Sequence, residues 1–428
     1  MSTHAGLPGF RDFYPADLAV RTHIMDAWRE AACRHAFEEY DGPPLEPLEL
    51  YTAKSGEEIV GQLYTFTDRG GRAVALRPEM TPTLARMVGA RAGGLRKPIR
   101  WFTMPQLFRY ERTQRGRLRE HFQWNVDIIG ETDVGADAEV LATALDALAL
   151  LGLDATAIVA RFNDRQLLER LLLHAGVTPV QLAATYAAID KLTREPVARI
   201  RDRLETAGLD AALAHNVLAI FDSRDLDALR SRFASVDGVA DELARLADYT
   251  ARLADLGHGD TVVFDPTIVR GLAYYTGIVF EIFDRAGQLR AICGGGRYDR
   301  LLDALGGADL PAVGFGMGDV VLTELLKERG LLSEWKPAVD FFIVTIGEEP
   351  RPLRLRIATR LRAAGHSVAY TFRDQSVKQQ FKEAGARGAR NTVVLGPDEV
   401  AQGLAVVKDM VGGEEKRVGI AELLGEEG

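Results

Sequence analysis

A chain of 428 residues is long enough for two or three domains with ample buried core. Its 52 Lys and Arg against 61 Asp and Glu leave a net charge of −9, which excludes a bulk attraction for nucleic acid. Any nucleic-acid partner must be held by local basic patches. Cys33 and Cys293 are the only cysteines and lie far apart, which argues against a disulfide framework or a thiolate zinc site and fits a reducing cytosol.

The opening MSTHAGLPGF has no basic run followed by an apolar one, so no secretory signal is expected. A Gly/Pro-punctuated lead, GLPGFRDFYP, feeds a predicted helix from about Ala16 to Glu39. Tyr40 to Pro47 is Pro-rich and cannot continue it. Over residues 51–165 short β-like runs (YTFTD, GRAVALRP, TAIVARFN) alternate with helices near Thr81–Ala92 and Ala136–Leu151. Hairpin-length links between them imply a mainly antiparallel sheet with flanking helices, an α+β layer arrangement. The most apolar stretch, Val140 to Ala160, is broken by Asp146, Gly152 and Asp154, so it reads as a core helix running into a strand and not as a membrane span.

Within this region FRYERTQRGRLREHFQWNVDIIG packs Arg109, Arg112, Arg115, Arg117 and Arg119 between two β-prone flanks, with Gly116 as the turn. A solvated basic loop is the simpler alternative. Arginines fixed on strands beside a turn can instead hold a phosphate rigidly. Residues 166–258 then lose the β-branched alternation and read as an all-helical insert. Strand patterns resume at TVVFDPTIVR, GIVFEIFD and QLRAICGG, which could rejoin the first sheet, and a helix covers about Gly318–Arg329. GLLSEWKPAVD is a plausible linker, and residues 338–428 alternate strand and helix as a small doubly wound α/β domain does.

The common phosphate cradles are missing: no GxxxxGK[ST] loop and no GxGxxG opening a helix. Nor is there an HExxH or CxxC, and the eight histidines show no metal-ligand spacing, so no protein metal site is expected. Gly294–Arg297 (GGGR) alone reads as a tight turn or as a place where backbone approaches a ligand.

Taken together these segments resemble the histidyl-tRNA synthetase family of class II aminoacyl-tRNA synthetases. YDGPPLEPLELY with its preceding helix is similar to motif 1, the dimer-interface helix and strand. ALRPEMTPTLARM is similar to the amino-acid-binding segment, and the Arg-rich stretch to motif 2. RGLAYYTGIVFEIF and GGGRYDRL resemble the two histidine-specific signatures, and AVGFGMGD the start of motif 3. The resemblance implies a class II catalytic core from 1–165 and 259–330, a helical insertion at 166–258 and an anticodon-binding α/β domain at 338–428.

It also implies roles. Arg109 and Arg270 would be the catalytic arginines on the α-phosphate, approaching from opposite sides. ATP would further meet Glu111, Arg117, His121 and Phe122. Histidine would be bound by Glu79, Met80, Thr81, Gln123, Asp127, Tyr274 and Tyr275 with Arg109 and Arg270; a carboxylate at Asp127 would orient the imidazole. By alternation one of Tyr274 and Tyr275 must face the core. Mg²⁺ is expected with ATP. The partners implied are L-histidine, ATP, tRNA(His) and a second copy of the chain, in the cytoplasm, with no membrane and no DNA. Two departures stand out. Ala273 replaces a frequent aspartate, and Val321 stands where motif 3 carries an arginine that stacks on adenine, a contact worth roughly 0.5–2 kcal/mol. His121 or Phe122 is the neighbouring candidate to compensate. The alternative is a non-catalytic histidine-sensing paralogue similar to the ATP phosphoribosyltransferase regulatory subunit. Retention of Arg109, Arg117, Arg270 and the C-terminal domain favours the enzyme.

Overall fold

The first helix spans Pro15–Arg34 and stops short of the expected Glu39. It ends in a Schellman turn: Phe37 N–H bonds to the Ala32 carbonyl at 2.9 Å and Ala36 N–H to that of Cys33 at 3.0 Å. Ala36 takes the left-handed position (φ 56°), and buried Phe37 pins the turn to the core. Glu38–Glu39, released from the helix, form strand β1. The computed structural model describes residues 6–52, 60–192, 195–222, 224–269, 274–287, 289–348 and 350–426, and the chain divides into compact units at 1–333 and 334–428.

In the first unit β2 (Leu45–Pro47), β3 (Thr65–Thr67) and β4 (Ala73–Leu76) make a small antiparallel sheet. After helix Thr81–Arg91 come β5 (Ile99–Thr103), β6 (Gln106–Phe108), β7 (Glu120–Ile129), helix Val134–Leu150 and β8 (Ile158–Asp164). A helical region follows, from Arg165–Ala175 to Val239–Asp255, without a strand among its described residues. Then come β9 (Val262–Phe264), β10 (Ile278–Asp284), β11 (Cys293–Arg297), β12 (Ala312–Gly318) and helix Asp319–Glu328.

The strands that resume after the helices do rejoin the first sheet. Its order is β1-β5-β7-β12-β11-β10-β8-β9, with β6 paired to β7. Pairs from β5 through to β8 are antiparallel, while β1/β5 and β8/β9 at the two edges are parallel. Side chains alternate across the sheet. On β7, Trp124, Val126 and Ile128 enter the core, as do Val313, Phe315 and Met317 on β12. Trp28 of the first helix stacks on Trp124 with ring centres 6.0 Å apart, and Trp124 meets Phe315 edge-on at 5.0 Å. Leu171, Leu243 and Leu246 of the helical region belong to the same continuous core.

Arg297, the arginine of GGGR, does not face a ligand site. It is 4% exposed, donates from Nε to Asp137 Oδ1 at 3.0 Å and from Nη1 to the Glu131 carbonyl at 2.9 Å, tying β11 to helix Val134–Leu150. Burial raises the Asp137 carboxyl while Arg297 pulls it back down.

The second unit is a sheet of order β14-β13-β15-β16-β17: β13 (Val339–Thr345), β14 (Val368–Tyr370), β15 (Ala389–Leu395), β16 (Leu404–Asp409) and β17 (Glu415–Gly419). Its first three strands are parallel and the last two antiparallel. Alternate residues of β13 serve opposite faces. Ile343 packs with Ile357 and Leu361 of one helix, while Phe342 and Val344 pack with Ala384 of another. Helices therefore cover both faces, as the alternating strand and helix patterns predict.

Candidate active site

The Arg-rich stretch is a hairpin from β6 to β7. Gln114 and Arg117 exchange both backbone hydrogen bonds (3.1 and 2.9 Å), and Gly116 holds the left-handed position between them (φ 75°). The hairpin is braced on three sides. Phe108 N–H donates to the Arg77 carbonyl at 3.0 Å, and Arg109 Nε to the Pro78 carbonyl at 2.8 Å. Buried Arg77 clamps that loop in turn, donating to Asp41 Oδ1 at 2.9 Å and to the Gln106 carbonyl at 3.0 Å. The N-terminal lead lies across the hairpin: Arg119 N–H donates to the Gly9 carbonyl at 3.0 Å, and Arg11 bonds Glu120 at 2.6 Å and Asp319 at 2.8 Å.

This bracing sorts the arginines, of which Arg112 is exposed. Arg109 and Arg117 line a cleft of about 300 Å³. Arg117 pairs there with Glu111 at 3.0 Å. Arg115 instead pairs with Glu328, and Arg119 lies over the Tyr110 ring at 4.2 Å. The cleft floor is nearly bare backbone. Gly314, Gly316 and Gly318 of β12 face Asp127, Asn125 and Gln123 of β7. A Cβ at Gly316 would come within 2.9 Å of Gln123 Cδ, and one at Gly314 would strike Asp127. Only glycine leaves room for a ligand to lie on the sheet here.

Along β7, His121, Gln123, Asn125 and Asp127 share one face. His121 lines the cleft, and burial together with the fields of Arg109 and Arg11 pushes its ring down to about 3, so it is neutral. Phe122, its neighbour, points the other way: its ring meets Phe13 at 6.1 Å and lies under the Arg21 guanidinium at 4.4 Å. Phe122 is thus corrected from a cleft residue to one that packs the lead onto the sheet, because strand alternation sends adjacent side chains to opposite faces. Its N–H donates to Asp319 Oδ1 at 2.9 Å.

Asp127 lies about 13 Å from Gln123 along the strand and is buried. The Tyr298 hydroxyl donates a short hydrogen bond to Asp127 Oδ1. Burial pushes the Asp127 carboxyl up to about 7, against the opposing pull of that bond. The Tyr40 hydroxyl is also buried, has no hydrogen-bond partner among the described residues and feels the Asp127 charge. Tyr275 is 7% exposed in a core cluster with Val279 and Leu302, whereas Tyr274 meets Tyr298 edge-on at 6.0 Å. Replacing Tyr298 by phenylalanine removes the bond that holds the carboxyl down, so the Asp127 titration is expected to move above 7. The pH profile of activity against histidine concentration checks this. A midpoint that stays in place would detach Tyr298 from Asp127.

Glu79 and Thr81 are half-buried beside the loop to which Arg109 is bonded. The Met80 side chain is 1% exposed. Arg270 and Ala273 lie outside the described residues. Val321 does line the cleft, and its Cγ2 would be 3.3 Å from a Cβ at Gly116, so the hairpin tip rests on it. Among the described residues no three His, Cys, Asp or Glu side chains gather as a metal site, and no helix is long and apolar enough to cross a membrane. Sequence reasoning missed Tyr298, Tyr40, Asn125 and Arg77. The tyrosine of GGRYD was visible, but its partner lies 171 positions away.

Comparison with known proteins agrees with this geometry. A family model described as Histidyl-tRNA synthetase matches residues 9–319, and an Anticodon binding domain model matches 340–426. The histidine–tRNA ligase of Opitutus terrae is 44% identical over 96% of this chain and 94% of its own length. The chloroplastic/mitochondrial enzyme of Arabidopsis thaliana is 39% identical over 97% and 85%. The crystal structure of histidyl-tRNA synthetase from Nostoc sp. superposes with a TM-score of 0.82 at 25% identity, covering 99% of this chain and 98% of that one. With its braced arginine hairpin, glycine-floored cleft and buried Asp127, the chain belongs to the histidyl-tRNA synthetase family.

Proposed function

We infer that the reaction of this family, activation of L-histidine by ATP and its transfer to the 3′ end of tRNA(His), runs in this cleft with the following division of roles. The histidine carboxylate attacks the α-phosphorus, the bond to the β-phosphate oxygen breaks, and pyrophosphate leaves. A terminal ribose hydroxyl of the tRNA then attacks the acyl carbon and expels AMP. Arg109 stands at the α-phosphate, where negative charge gathers in the transition state, and Arg270 serves from the opposite side by virtue of the family signature. Arg117 parts from Glu111 to reach the outer phosphates, and Glu111 takes the adenine amino group. Mg²⁺, bound with the nucleotide, would supply charge neutralisation at those phosphates.

Histidine lies further along β7. Glu79, Thr81 and Gln123 accept from its ammonium group, and Asp127 accepts from the imidazole. The Tyr40 hydroxyl offers a partner for the other ring nitrogen. The hairpin tip and the 338–428 domain meet the tRNA. The helical segment 166–258 acts as an insertion into the core formed by 1–165 and 259–330. The chain works as a cytoplasmic homodimer.

The buried Asp127–Tyr298 pair, on the same strand face as the cleft between the arginines, carries this reading. Histidine-dependent ATP–pyrophosphate exchange tests it. Exchange with histidine and with no other amino acid is expected. Histidine binding without exchange would transfer the chain to the histidine-sensing, non-catalytic reading.

A further inference from the structure

Val321 cannot provide a cation over the nucleobase, and the hairpin tip at Gly116 closes over it. Val320, Ile292 and the uncharged His121 ring line the cleft with it, and Glu111 and Glu281 are the carboxylates of that lining. The apolar part of these walls suits a flat heterocycle, and a cation on one wall can fix such a ring in place.

Among the described residues three guanidiniums line the cleft: Arg109, Arg117 and Arg290. The first two come from the hairpin at β7. Arg290 comes from the link between β10 and β11. Cys293 of β11 pairs with Met317 of β12, and Ile292 N–H bonds to the Ile282 carbonyl at 2.8 Å. Carrying the β11/β12 register back from Cys293 sets Arg290 level with Val320, at the start of the helix that holds Val321. β12 separates β7 from β11, so the two sets of arginines stand about two strand spacings apart, roughly 10 Å. That gap admits a purine between the walls.

We propose that Arg290 holds the purine ring of ATP, its planar guanidinium stacking on the base from the β11 wall in place of the arginine that position 321 lacks. The proposal rests on the reading of this cleft as the ATP site. Arg290 is exposed, so its replacement leaves the core untouched.

The test is histidine-dependent pyrophosphate exchange with wild type, R290A and R290K, together with inhibition by inorganic tripolyphosphate, which has the phosphates but no base. R290A is expected to raise the KM for ATP about 3- to 30-fold. The KM for histidine and the inhibition constant of tripolyphosphate should not change. R290K, which keeps the charge and loses the plane, should recover only part of the loss. An unchanged KM for ATP in R290A would overturn the proposal. So would weaker tripolyphosphate inhibition, because Arg290 would then be a phosphate ligand. Absence of exchange in the wild type would instead refute the ATP reading itself.

Discussion

Replacing Arg109 by alanine is expected to lower kcat for histidyl-adenylate formation by roughly 10²- to 10³-fold, the usual loss when one fixed donor to a developing anion is removed. The reason lies in how the side chain is held. Its Nε is spent on the Pro78 carbonyl at 2.8 Å, so the terminal nitrogens of a rigid fork project into the cleft. A guanidinium already oriented needs no reorganisation when charge builds on the α-phosphate. Lysine at this position keeps the charge but cannot also reach Pro78, so R109K should recover little. If Arg270 takes the matching part proposed for it, Arg270→Ala is expected to abolish adenylate formation without unfolding the chain. Pyrophosphate exchange and a thermal melt on each variant decide the matter. Full activity in R109A would remove it from the transition state, and a collapsed melting temperature would show that its bond to Pro78 is its main role.

Asp127→Ala is expected to raise the KM for histidine about 10- to 100-fold, because the imidazole N–H loses a buried charged acceptor. The pH dependence carries a sharper signature. The carboxyl titrates at about 7 in the folded chain against a normal value near 3.8. Folding therefore favours its protonated form. The associated stability is fully present below the unfolded value and is lost as pH rises through about 7, an effect of up to about 4 kcal/mol. Asp127→Asn removes that loss, so it should be more stable than wild type at pH 8 and nearly equal to it at pH 4. Bound histidine reverses the preference, since its N–H favours the carboxylate. Wild-type affinity should accordingly fall as pH drops below about 7, more steeply than that of the asparagine variant. Equal slopes would exclude Asp127 from the pocket.

Much of this site could be read from the residues, and the failures share a cause. The hairpin and its glycine turn announce themselves locally, as do the helical stretch and the alternating C-terminal unit. The resemblance assigns His121 and Phe122 to one task, although the period of two along β7 separates them once Asp127 is placed on the cleft face. The end of the first helix was misjudged because Ala36 carries no mark of a left-handed residue; buried Phe37 forces it. Tyr298, Tyr40 and Arg290 depend on which strands become neighbours. The insertion of β12 between β7 and β11 brings Tyr298 to Asp127 across 171 positions, and no local pattern records such a pairing.

The glycines under the cleft have an evolutionary consequence. A floor of main chain offers no side chain for selection to vary, so drift or redesign of substrate preference cannot begin there. Any added methyl at Gly314 or Gly316 collides with Asp127 or Gln123 before a ligand arrives. Altered amino-acid specificity has to come through the walls, at Asp127, Tyr298 and Tyr40. A saturation library should show Gly314 and Gly316, at alternate positions of β12, as intolerant of any side chain.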